Sequence, residues 1–224
     1  MKRVVPMLIL LISLISSSAA SPTEDMYGTY KVSFQPVTVQ GNPQFCLLNF
    51  TSIIKSSAYE RDANYSVSGS LGMGITENRS NIIVSLKVVN YKINPIQPRA
   101  KAIPKRPYFA YLVAPSGVNN SKGYLGGEPS ESPGGLTSGF NFDDAAMEIF
   151  TQIIDSKKVS VAFNLGKGGM DILAPLDLTV SDVNDAGIRI KNNNAVTDFK
   201  KCMVPILREA SQNMERLDKQ ATSK

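Results

Sequence analysis

The chain has 224 residues, with 24 basic against 19 acidic side chains, two cysteines and no histidine. Without histidine the usual general base at neutral pH is absent, and Ser-His-Asp, Cys-His and two-histidine zinc sites are excluded. The formal charge of +5 is mild and lacks the concentrated basic face with interleaved aromatics that marks a nucleic-acid binder, so no nucleic-acid partner is expected.

Lys2 and Arg3 precede an apolar run over residues 4–15, and Ser18-Ala19-Ala20 follow as small residues at a cleavage position. That is the pattern of a secretory signal peptide over residues 1–20, and the run is shorter than the roughly 20 residues a spanning helix needs. The expectation is a periplasmic or secreted protein with no transmembrane segment in the mature chain. Removing Lys2 and Arg3 leaves 22 basic and 19 acidic side chains, a charge of +3. Two cysteines in an oxidising compartment are most simply a single disulfide, Cys46 to Cys202, the alternative being two independent thiols.

Residues 21–207 read as a single β-rich domain. Residues 26–35 alternate around Tyr30, Val32 and Phe34 as a first strand, which residues 36–40 continue as an edge because Pro36 cannot donate to a ladder. Residues 45–50 form a short second strand carrying Cys46, and residues 56–63 a polar loop. From Tyr65 to Ile75 the residues Tyr65, Val67, Gly69, Leu71, Met73 and Ile75 alternate with Ser66, Ser68, Ser70, Gly72 and Gly74, which fill the other face. Those small residues suit close packing of a neighbour or a flat solvent face, and the second reading is preferred. Residues 77–81 turn into another strand over 82–91.

Residues 95–107 hold four prolines among Arg99, Lys101, Lys105 and Arg106 and are expected to be extended and exposed. An aromatic strand follows over 108–113. Residues 115–141, rich in Gly, Ser, Pro and Asn, read as a long loop, functional or disordered, with disorder the preferred reading. Residues 143–155 carry the clearest helical pattern, with Ala146, Ile149, Phe150, Ile153 and Ile154 on one face and acids in the first turn. Residues 159–165 alternate, Gly166 to Gly169 can turn, and residues 170–178 return as the second arm of a hairpin. Ile188 to Lys191 alternate again. Asn192, Asn193 and Asn194 offer caps for a last helix bearing Val196, Phe199, Cys202, Met203 and Ile206, which Pro205 interrupts. Residues 208–224 read as a polar tail, frayed or disordered. The fold class expected is mainly β (α+β): a single antiparallel β-sandwich-like domain with a helix before the last hairpin and a C-terminal helix.

Motifs that carry chemistry are sparse, and no cofactor or metal site is implied. Ser52-x-x-Lys55 matches the acylating pair of penicillin-recognising enzymes without their accompanying Ser-Asp-Asn or Lys-Thr-Gly. Asp143, Asp144, Asp171 and Asp177 are the acids a carboxylate-based glycoside hydrolase would draw on. Neither glycine cluster has the order of a dinucleotide or phosphate loop. Four Asn-x-Ser/Thr sequons begin at Asn49, Asn64, Asn78 and Asn119. The candidate binding surface is therefore the basic proline segment, Arg99, Lys101, Lys105 and Arg106, with Tyr108 and Tyr111 taken to share one face of the following strand.

The order of signal peptide, early strand with Cys46, alternating strands, helix, Val159-Ser160-Val161-Ala162-Phe163, Pro175-Leu176-Asp177-Leu178 and late Cys202 resembles the invasion-associated locus B-like periplasmic proteins of proteobacteria. Val180-Ser181 stand where that family has a glycine and aromatic pair, and its fuller cysteine complement is not present. The resemblance implies a small secreted β-rich domain linked to host-cell entry, without a known catalytic centre, and it assigns no role beyond a structural one for the cysteines. The function expected is a secreted or periplasmic non-catalytic binding module whose partner is a protein, glycan or anionic surface. A histidine-free carboxylate enzyme and a structural envelope or assembly component are the alternatives.

Overall fold

A computed structural model describes residues 26–39, 41–76, 81–94 and 101–222. The expected signal peptide, Arg99 with the first half of the basic segment, and the sequon at Asn78 lie outside the described residues. Among the described residues twelve strands and two α-helices follow one another: β1 (Gly28–Val39), β2 (Asn42–Ser56), β3 (Ala63–Ile75), β4 (Ile82–Ile93), β5 (Ile103–Pro104), β6 (Phe109–Val113), β7 (Tyr124–Pro129), β8 (Gly135–Asn141), α1 (Asp144–Ser156), β9 (Lys158–Asn164), β10 (Ile172–Asp177), β11 (Val180–Val183), β12 (Arg189–Lys191) and α2 (Asn194–Thr222).

The large sheet runs β1-β2-β3-β4-β8-β7, with β5 added to β4, and a second sheet runs β10-β9-β6. All these pairings are antiparallel. Strict alternation explains the inner face of the large sheet: Leu48, Phe50, Val67, Leu71, Leu86, Val88 and Phe140 all point to it and are buried. The second sheet and α2 cover that face, and α1 packs on β9 and α2, giving the sandwich-like arrangement with a helix before the last strands and a C-terminal helix.

Helix α1 begins where Asp143 caps it, its side chain accepting from the Ala146 amide at 2.9 Å. It ends at Lys157, whose φ of +56° is a left-handed stop. Its stripe of Ala146, Ile149, Phe150 and Ile153 is buried. Phe150 stacks on Phe199 of α2, ring centroids 5.9 Å apart. The β9–β10 hairpin turns as the glycines require: Gly168 has φ +69° and the Gly169 amide bonds the Gly166 carbonyl at 2.9 Å.

Three expectations are corrected. Residues 115–141 are ordered: a 3-10 turn (Ser121–Gly123) leads into β7 and β8, which extend the large sheet beyond β4. Their signal is faint in sequence because β7 is an edge exposed almost throughout, and β8 puts Ser138 among its inward residues and glycine at two outward ones. The final helix is not interrupted by Pro205, which sits inside α2, and the polar tail continues it to Thr222, in line with the helical of the two readings of those residues. Proline removes one backbone bond and costs a helix interior about 3 kcal/mol; burial of Met203, Ile206 and Ala210 on either side offsets that loss. Finally, the small face of β3 is not all solvent. A Cβ on Gly72 would lie 2.0 Å from the Cys46 carbonyl, and one on Gly74 2.3 Å from the Phe45 ring, so Leu47 and Phe45 cover these two glycines from the neighbouring strand. Ser66, Ser68 and Ser70 are half-exposed as expected.

Cys46 and Cys202 are joined, their Cα atoms 5.9 Å apart across 156 residues of chain. The bond fastens β2, next to the β1 edge of the large sheet, to α2. Chain entropy alone makes such a long closure worth up to about 5 kcal/mol. Replacing both cysteines, Cys46→Ala with Cys202→Ser, is expected to lower the unfolding free energy by about 2–5 kcal/mol. A guanidinium melt of the oxidised protein and the double variant measures it; coincident midpoints would show that packing alone fixes α2.

Candidate functional site

The described part of the basic segment is extended and largely exposed, as expected from its prolines, and it is strapped to the large sheet. Pro104 pairs with Tyr91 and Ile103 with Lys92. Beside them the Asn90 carbonyl accepts from the Lys105 amide at 2.9 Å, and the Asn90 Nδ2 donates to the Lys105 carbonyl at 3.1 Å. The Asn90 amide also bonds the Gly134 carbonyl at 3.0 Å. Asn90 is fully buried and organises both chains passing the end of β4.

This strap sets Lys105 and Arg106 on the rim of a cleft of about 390 Å³ at the open end of the sandwich, with Tyr59, Glu60, Tyr65, Pro104 and Leu165 as the other walls. Tyr59 is fixed there by accepting the Leu165 amide at 2.8 Å. Glu60 pairs with Lys92, whose hydrogen bond holds the carboxyl below its ordinary range. Burial pushes the Tyr65 phenol up. Lys92, Lys105 and Arg106 against Glu60 leave the cleft with an excess of positive charge. Lys101 is exposed nearby in sequence. Neither Lys101 nor Arg106 has an ion pair among the described residues.

The two tyrosines of the candidate surface do not share a face. Residues three apart on extended chain point to opposite sides. Tyr108 precedes β6 and is 57% exposed. Tyr111 instead lies beside Phe109, centroids 5.5 Å apart, and donates its hydroxyl to Asp171 Oδ2 at 2.6 Å. Asn164 Nδ2 donates to Asp171 Oδ1 at 3.2 Å. Phe109 continues edge-on to Tyr124 at 4.9 Å, and Tyr124 to buried Phe140 at 5.7 Å, so aromatic rings close the seam between the sheets. Sequence reasoning missed Phe109 as the partner of Tyr111, although their spacing of two in a strand carried that signal. It also missed Tyr59, Glu60 and Lys92, which only chain folding brings to the cleft.

The candidate catalytic residues are held in other ways. Ser52 points inward from β2 and Lys55 outward, where Lys55 pairs with Asp62 at 3.0 Å; a spacing of three joins side chains only on a helix. Asp143 is a helix cap, and Asp177 accepts from Thr179 and Lys191. Among the described residues no group of three or more Cys, Asp or Glu side chains could hold a metal ion. A larger groove, about 710 Å³ and lined by Ile82, Leu125, Phe142 and Ala210 among others, has Asp143 as the one charged residue among the described residues that line it. No helix among the described residues is long and apolar enough to cross a membrane.

Burial, and then the hydrogen bond to the Asp171 carboxylate, push the Tyr111 phenol up to about 12. A proton held more tightly in the folded state than in the unfolded one stabilises the fold below the unfolded value near 10, and that contribution is lost as pH rises towards about 12. Titration by phenolate absorbance is expected to show a late-ionising tyrosine that disappears in Tyr111→Phe. Loss of amplitude near pH 10 in that variant, with the late phase retained, would place Tyr111 among the ordinary phenols.

Compared with family models, with curated proteins and with solved structures, the chain matches none.

Proposed function

We propose that this chain is a secreted or periplasmic, non-catalytic interaction module, of the kind its resemblance to invasion-associated locus B-like proteins implies, and that it takes an acidic partner at the open end of its sandwich. The observation that carries this reading is the cleft in which Lys105 and Arg106 stand over Tyr65 while Glu60 is already committed to Lys92. Positive charge fixed at the mouth of a concavity focuses its field outward and raises the encounter rate with anions. Tyr59 and Tyr108 add amphipathic area beside it. A polyanionic glycan, an acidic protein surface and an anionic lipid headgroup share the chemistry this site recognises.

The contact is expected to weaken steeply with salt, since exposed charges are screened within about 8 Å at physiological ionic strength. Heparin serves as the polyanionic probe, with phosphatidylglycerol vesicles as the second arm. In a variant with Arg99, Lys101, Lys105 and Arg106 all replaced by serine, low-salt affinity for the preferred probe should fall by about tenfold or more. Each substitution should move the unfolding free energy by less than about 0.5 kcal/mol. Equal retention of variant and parent at low salt would remove this segment as the contact.

A further inference from the structure

The outward face of the second sheet presents a ring and a carboxylate that the cleft does not use. Along β9, Val161 and Phe163 point into the core, so Ala162 between them points out. Ala162 nevertheless has 0% exposure. Its cross-strand neighbours are Tyr111 on β6 and Leu173 on β10. Asp171 lies just before β10, on the far side of β9 from Tyr111, and strands stand about 4.8 Å apart. For its hydroxyl to reach Asp171 at 2.6 Å, the Tyr111 ring must lie across β9, one face down on Ala162. Its other face is turned to solvent, in keeping with a half-exposed residue.

Asp171 is exposed, and the two donors it accepts from, the Tyr111 hydroxyl and the Asn164 side-chain amide, are both neutral. Among the described residues no lysine or arginine pairs with it. A carboxylate offers about four lone-pair positions, so two neutral donors leave it able to accept a further fork of N–H groups. The tyrosine pin also fixes its orientation. An anchored anion beside an outward aromatic face, with Leu173 56% exposed next to it, selects for a flat cation carried on an apolar stem.

We propose that Tyr111 and Asp171 bind the guanidinium group of an arginine on a partner polypeptide, the guanidinium stacked on the ring and its N–H fork on the carboxylate. Guanidinium fits this pair better than ammonium because it is planar, stacks on aromatic faces and matches a carboxylate with two parallel bonds. The site is separate from the basic cleft and of opposite sign.

The test is an NMR titration of the full chain with N-acetyl-arginine amide, and with the neutral citrulline analogue as comparator. Saturable shifts are expected at Tyr111, at the Asn164 side-chain amide and at Leu173, with the citrulline analogue weaker by about tenfold, the scale of one charge-assisted bond. Asp171→Asn, an exposed and near-isosteric change, should weaken the arginine probe by a similar factor, while unchanged amide shifts away from the site show that the variant is folded. The serine variant of the basic segment should bind this probe as the parent does, which keeps the two sites distinguishable. The proposal is overturned if the arginine probe gives no saturable shifts, if citrulline binds equally well, or if Asp171→Asn binds as tightly as the parent.

Discussion

The inner face of the large sheet is the constraint on which the molecule depends. Four long strands, β1 to β4, turn one side of every second residue inward and leave an apolar surface too wide for the sheet to bury by itself. Helix α2 supplies Val196, Phe199, Met203, Ile206 and Ala210 to that surface, and the Cys46–Cys202 bond fixes where along β2 it lies. Because the bond spans most of the described chain, everything between β2 and α2 folds inside one covalent loop. Proline at position 205 is tolerated in this setting because the helix is held by burial on one side and by a covalent tie one turn earlier.

From this arrangement follows the chemistry of the open end. The second sheet, β10-β9-β6, covers only part of the large one, and the seam between them is closed by the rings of Phe109, Tyr124 and Phe140. Two asparagines manage the polar backbone there. Asn90 straps the basic segment and Gly134 to the end of β4, and Asn164 steadies Asp171 beside Tyr111. The outcome is two neighbouring surfaces of opposite sign, one rimmed by Lys105 and Arg106, the other centred on Asp171. Fixed charges held by buried amides lose little conformational freedom when a partner arrives, which favours recognition over reach.

Period and spacing made much of the scaffold legible. The alternation around Tyr65 to Ile75 and Val159 to Leu165, the stripe of α1 and its Asp143 cap, and the turn glycines are local signals that the fold obeys. The pairing of Cys46 with Cys202 was legible because two cysteines allow one bridge. β7 and β8 were not, since an edge strand exposed almost throughout and a partner holding Ser138 on its inner side break the apolar alternation that marks strands. The basic residues were recognisable as a group, but their setting was not: the strap joins Asn90 and Lys105, 15 residues apart, through a backbone bond and one from the Asn90 side-chain amide, a pairing that no local spacing announces.

By itself, then, the sequence determined the elements whose signal is a repeat within one segment, the absence of histidine chemistry, and the identity of the disulfide. Tertiary structure alone decided which charged groups meet. Tyr111 and Asp171 are 60 residues apart and Lys92 and Glu60 are 32 apart, and each pair exists only because strand order brings β6 beside β9 and the loop after β2 beside β4. Local periodicity fixes which way a side chain points from its own strand, whereas the neighbour it points at is set by sheet order and register, and those are chosen by burial of the whole inner face at once.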